Sequence, residues 1–155
     1  MRVAKGYYEI ACNDLLYLFS SMESGYYNQL VAMMQQIAEK MLKSVAEEVC
    51  RGDHRVLTTH NLVTIYKEIQ KEQIELALER SELAFLTDFY FDARYPGDSY
   101  VDVDFEAASE CLEAMYQVTD AVTEYRRKNK KPYFPYQKKY LVEHVTDEIF
   151  YQTEE

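Results

Sequence analysis

From Phe105 to Tyr125 the residues Phe105, Ala108, Leu112, Met115, Val118, Val122 and Tyr125 recur at steps of three and four. No Gly or Pro interrupts the run. Steps of three and four place side chains on one stripe of an α-helix, whereas a strand needs every second residue on one face. A chain whose apolar residues follow this period must bury one face of each helix against other helices. The remaining sequence continues the theme, with only four Gly and three Pro in 155 residues. So few turn breakers argue for long helices over many short strands.

Four further stretches share the period. Tyr8, Ala11, Leu15, Leu18, Phe19 and Met22 define a first helix, from about Tyr7 to Met22, closed by Ser24-Gly25. Leu30, Met34, Ile37, Met41, Val45 and Val49 form the inner stripe of a second, from about Tyr26 to Cys50, with Gly52 as a stop. In it Gln36, Glu39, Lys40, Lys43 and Glu47 fall off the stripe, and Met33, Met34 and Met41 read as gap fillers. A third starts at Thr59 as N-cap and turns Leu62, Ile65, Tyr66 and Ile69 inward. A fourth covers about Leu78 to Ala93, with Leu83, Leu86, Tyr90 and Ala93 in register. No Gly or Pro separates the third from the fourth, so one continuous helix is an alternative. Pro96 stops the fourth, Pro96-Gly97-Asp98 is a turn, Tyr100 to Asp104 is a loop, and Asp104 caps the fifth helix, which runs to about Arg127.

Beyond it, Pro132 and Pro135 break the pattern, and Gln137 to Tyr151 sets Leu141, Val145 and Ile149 on one face. The expected fold is therefore all-α: an up-and-down bundle of about five helices over residues 1–128, with residues 129–155 as a helical C-terminal extension.

Charge and cysteine usage narrow the function classes. The net charge is −10, yet Arg126, Arg127, Lys128, Lys130, Lys131, Lys138 and Lys139 cluster in a segment with no acid. The acidic body repels bulk nucleic acid, and the basic segment either attracts it locally or is a solvated helix end. Cys12, Cys50 and Cys111 are distant from one another and form no CxxC, so neither a zinc site nor a disulfide framework is expected. Reduced cysteines fit a cytoplasmic protein. No apolar run approaches the ~20 residues of a membrane span, and Met1 to Gly6 carries no signal-peptide core. No cofactor and no metal is expected. Asp98, Asp102 and Asp104 lack the Gly and the terminal Glu of a calcium loop.

Four short elements then occur in order. The second helix reads QLVAMMQQIAEKMLKSV, with Glu39 and Lys43 four residues apart; Thr59-His60-Asn61-Leu62 opens the third; DFYFDARYPGD spans residues 88–98; FEAASECLEAMYQV lies on the fifth. In order and spacing, over about residues 8–125, they resemble the HEPN family (higher eukaryotes and prokaryotes nucleotide-binding). The resemblance implies a bundle of four to five helices, frequent dimerisation, and nucleotide or RNA transactions. Many members are metal-independent ribonucleases with an Arg-x(4–6)-His motif. Others act beside a minimal nucleotidyltransferase, as toxin–antitoxin partners or as nucleotide-binding modules.

The chemistry of that motif is clear: Arg stabilises phosphorane charge and His relays the 2′-hydroxyl proton. After Arg94, however, the positions where the His would fall are Ser99, Tyr100 and Val101. A literal match, Arg55-Val-Leu-Thr-Thr-His60, stands in a loop instead, and Leu62 replaces the tyrosine that follows the His in toxins silenced by adenylylation.

His60 and Arg94 can still meet at one end of a bundle. A helix start offers N–H groups to phosphate, Arg94 a fork, and Tyr95 or Tyr90 a stacking face. The alternative is that His60 caps locally and Arg94 pairs with Asp92 or Asp98. Glu39 and Lys43 are either an exposed i,i+4 pair or a pocket wall. The leading expectation is a module without catalysis of its own that binds a nucleotide or RNA end through Thr59, His60, Arg94, Tyr95 and Lys43, or serves a nucleotidyltransferase partner, as a homodimer joined through aromatic helix faces. The alternatives are a metal-independent endoribonuclease toxin using His60 with Arg94 or Arg55, and a pure interaction subunit that grips a partner with Arg126 to Tyr151.

Overall fold

A computed structural model of the chain describes residues 6–51, 54–98 and 100–133. Five α-helices carry the fold: α1 (Tyr7–Ser21), α2 (Tyr27–Val49), α3 (Leu62–Lys71), α4 (Arg80–Asp92) and α5 (Phe105–Lys128). Short 3-10 turns, Met22–Ser24 and His54–Leu57, follow α1 and α2. Among the described residues there is no strand, and no helix is long and apolar enough to cross a membrane. The Gln137–Tyr151 segment lies outside the described residues.

α2 is the axis. Helices α1 and α5 pack along it, and α3 and α4 pack on it as well. Its stripe of Leu30, Met34, Ile37, Met41 and Val45 is buried as the periodicity requires, and so are Val31, Ala38, Leu42 and Ala46 on its flanks. Burying each large aliphatic side chain contributes about 1.5–3 kcal/mol, so the helix with contacts all round holds the bundle together.

α1 runs against α5: Phe19 stacks on Tyr116 at 6.3 Å near one end, and Tyr8 Oη meets Thr123 Oγ1 at 3.1 Å near the other. α5 runs in the same direction as α2, since the rings of Tyr27 and Phe105 meet at one end and Arg126 approaches Glu48 at the other. The segment between α2 and α3 makes this layout workable. It climbs back along α2, so that His60 stands beside Gln35 and Glu39 before α3 begins.

Two expected boundaries move. Thr59 does not cap α3. Asn61 does, its Oδ1 accepting from Thr64 N at 3.1 Å, while Thr59 Oγ1 accepts from Asn61 N one step earlier. Helices α3 and α4 are separate, with α4 starting at Arg80 rather than Leu78. Gln73, at φ 65°, ends α3 without any Gly or Pro. A non-glycine residue tolerates that region only when its surroundings hold it.

Here the holder is Tyr66, buried on α3. Its hydroxyl donates to Leu76 O at 2.8 Å and accepts from Leu76 N at 3.2 Å. Burial pushes its phenol pKa up. Tyr66→Phe leaves both backbone groups of Leu76 without that partner. It is expected to cost about 1–3 kcal/mol, read as a lower midpoint in urea and faster amide exchange at Leu76.

The turn from α1 to α2 uses Gly25 at φ 78°, where a Cβ is strained. Asp104 caps α5 as expected, Oδ1 accepting from Ala107 N at 2.8 Å. At the far end of α5, the described basic residues divide between contacts to the bundle and pairs along the helix surface. Arg126 lies over the Tyr8 ring at 4.2 Å, Lys131 reaches Glu48 at 3.0 Å, and Arg127 and Lys128 both approach Glu124. Cys12 and Cys111 are buried thiols, each pushed up to about 12 chiefly by desolvation, so they stay protonated and unreactive near neutral pH.

Candidate functional site

The site grows from a polar stripe on the central helix. Gln35, Glu39 and Lys43 stand at i, i+4 and i+8 of α2, one above another. On a surface helix such a stripe faces water. Here the returning segment and the neighbouring helices cover it, and all three residues are buried. The pair is therefore not the exposed helix support that its spacing suggests. Glu39 and Lys43 side chains are 10% and 5% exposed, with Lys43 Nζ on Glu39 Oε2 at 3.0 Å.

The other carboxylate oxygen turns toward the loop. Glu39 Oε1 lies 2.9 Å from His60 Nδ1 and 3.4 Å from Gln35 Nε2. Gln35 Nε2 also donates to the His60 carbonyl at 2.9 Å, so one residue is held by both its ring and its backbone. Gln35 Oε1 is buried without a hydrogen-bond partner. A carboxylate is an acceptor only, so the Nδ1 facing it carries the proton. That leaves Nε2 as the acceptor of the neutral ring, on a side chain that is 57% exposed.

α4 supplies the other half. Thr87 Oγ1 accepts from Leu62 N at 3.2 Å and joins α4 to the start of α3. One turn on, Tyr90 is buried, its ring centroid 6.0 Å from that of His60. Arg94, four residues further, donates from Nη1 to the Tyr90 hydroxyl. Its guanidinium lies 4.6 Å from the Tyr90 centroid and 5.5 Å from that of Tyr95. Tyr95, 51% exposed, stacks on Phe91, 44% exposed, at 6.3 Å.

Tyr90 is thus the shared wall between His60 and Arg94. Of the two readings weighed for these residues, local capping by His60 does not occur, since Asn61 caps. Arg94 is engaged by tyrosines rather than by the turn aspartates.

The remaining candidates fall elsewhere. Lys43 is enclosed, so it supports Glu39 from beneath and presents no ammonium to a ligand. Thr59 is half-buried and shapes the entry to α3. Arg55 is exposed on the 3-10 turn and lines a separate recess of about 280 Å³ with Val56, Thr59, Thr64 and Glu68. A larger open cleft of about 520 Å³ lies between α1 and α2, lined by Tyr17, Ser21, Ser24, Tyr26, Gln29, Leu30 and Met33. Among the described residues, no cluster of three or more His, Cys, Asp or Glu is placed to hold a metal ion.

Sequence reasoning weighed Glu39 as a pocket wall without placing it beside His60, and it missed Gln35 altogether. Spacing alone could not find it: Gln35, Glu39 and Lys43 fall on the polar side of α2 with Gln36, Lys40 and Glu47, and only tertiary packing covers that edge.

The arrangement presents a histidine held by a carboxylate, an arginine laid on aromatic rings and two exposed stacked aromatics, all on a helical bundle. A family model for the HEPN domain matches residues 4–127, most of the chain, and the protein belongs to that family. Membership carries a nucleotide- or RNA-related role. No curated protein and no solved structure matches the chain.

Proposed function

We propose that the protein is a HEPN module that binds a nucleotide or the end of a single-stranded RNA at His60, Arg94 and Tyr95, without catalysis of its own. The observation that carries this reading is the convergence of His60 and Arg94 on Tyr90. A guanidinium is complementary to phosphate oxygens and offers them a planar fork, while the outward Nε2 of His60 can accept from a ribose or terminal hydroxyl. The Phe91–Tyr95 stack offers a π-face to an unpaired base, a contact that tolerates any sequence. A net charge of −10 disfavours a long polyanion and suits a terminal nucleotide. A homodimer, or a nucleotidyltransferase partner, belongs to the same proposal.

A second reading has its own observation. Glu39 holds His60 by Nδ1, the arrangement that orients a general base, and Arg94 is near enough to share Tyr90 with it. This favours a metal-independent ribonuclease in which His60 replaces the His absent after Arg94.

One experiment separates the two. Purified protein is incubated with total transfer RNA in EDTA, beside His60→Ala and Arg94→Ala. RNA bound but left intact, with binding lost in both variants, is the expected result. Cleavage by the natural chain alone overturns the binding reading in favour of the nuclease.

A further inference from the structure

We infer that Asn28, on the first turn of α2, is a positioning residue for the Arg94–Tyr95 segment, so that an amide which does not touch the ligand sets the affinity of the site. The inference rests on the reading of that site given above. Arg94 and Tyr95 lie past the end of α4, their amides donating to Phe91 O at 3.2 Å, in a connection whose described residues form no helix before Phe105. Among the described residues, one backbone bond beyond the turn itself joins the two limbs of this loop, Val101 N to Asp92 O at 2.9 Å. Its hydrogen bonds to the central helix come, among the described residues, from one side chain.

Asn28 Nδ2 donates to Ala93 O at 3.0 Å and to Val101 O at 2.9 Å. Its Oδ1 accepts from Val103 N at 2.9 Å, and the Tyr100 hydroxyl lies 3.3 Å from Nδ2. The outgoing limb is gripped at the residue before Arg94, and the returning limb at two points. Asn28 in turn belongs to the helix around which the core is built, next to buried Leu30 and Val31.

Asn alone supplies this set. Asp has the length but no donor, Gln adds a methylene, and Ser cannot span both limbs. The turn that follows Tyr95 is exposed and holds Gly97 at φ 145°. Without Asn28 the outgoing limb loses its polar tie to α2. A binding group that must be ordered on ligand arrival loses affinity relative to one already in place.

The chain has no Trp, so Tyr95→Trp places a single fluorescent reporter on the loop. Adding Asn28→Ala to that background is expected to raise acrylamide quenching of the introduced indole and lower its anisotropy, while the far-UV dichroism keeps its helical signal. With Tyr95 restored, Asn28→Ala is expected to weaken binding of a short fluorescein-labelled single-stranded RNA about tenfold. Asn28→Asp keeps the acceptor for Val103 but sets a carboxylate against two carbonyls, and it should loosen the loop in the same way if Asn28→Ala does not fold. Unchanged quenching and anisotropy of the reporter in a folded variant overturns the inference. Failure of the natural chain to bind RNA removes the site reading instead, and the indole measurement still decides whether Asn28 holds the loop.

Discussion

Lys43→Ala is expected to be among the most damaging single substitutions in the chain. Removing the ammonium strips Glu39 Oε2 of its 3.0 Å partner inside the bundle. A carboxylate left in that position keeps only His60 and Gln35 on its other oxygen. Breaking a buried pair by deleting one partner costs about 3–5 kcal/mol, because the survivor stays desolvated and unmatched. In a domain of this size that lowers the melting temperature by roughly 6–20 °C.

The double variant Glu39→Leu/Lys43→Met discriminates the cause. Replacing both charges by apolar groups of similar volume is expected to recover most of the loss, since the net worth of such a pair is small. The double variant also frees His60 Nδ1, so it should regain stability and not regain RNA binding. If Lys43→Ala melts like the natural chain, the pair is far wetter than its burial indicates.

The second large effect concerns Arg94. Arg94→Ala is expected to reduce affinity for a single-stranded RNA about 10- to 100-fold, the loss of one charge-assisted hydrogen bond at about 1.5–3 kcal/mol. Arg94→Lys should recover little of it. A lysine keeps the charge but cannot lie flat on Tyr90 and Tyr95 while offering a fork. The distance of 4.6 Å to the Tyr90 ring makes that stacking part of how the guanidinium is aimed. Titration by fluorescence anisotropy at two salt concentrations reads both variants. Full recovery by Lys would reduce Arg94 to a point charge.

Much of the fold was legible because periodicity and punctuation coincide. The Asp104 cap, the stop before Pro96 and the Ala108, Met115, Val118 and Val122 positions of the α5 stripe rest on local chemistry that tertiary contacts did not override, whereas Phe105, at the head of that stripe, is 69% exposed because it sits on the first turn, at the end of the bundle. The break between α3 and α4 was illegible for the opposite reason. It depends on Tyr66 reaching Leu76, a contact between side chain and backbone that has no signature in spacing.

For the site, His60, Arg94 and Tyr95 stood out as residue types able to bind phosphate and base, and the structure brings His60 and Arg94 to one wall. Glu39 and Lys43 looked like a surface pair because i,i+4 spacing is identical on a solvated face and a covered one. Only the return of the chain along α2 before His60 decides which it is, and that path is set by packing. Asn28 was unreadable, since its partners are carbonyls and amides that every residue carries.

The direction of α5 has a consequence during synthesis. The side of α2 that α5 covers is complete by Val49, but its cover starts at Phe105 and ends at Lys128. At roughly 5–20 residues per second the ribosome leaves that apolar flank open for on the order of several seconds. A nascent chain halted before α5 holds the central helix of the protein with that flank bare to water.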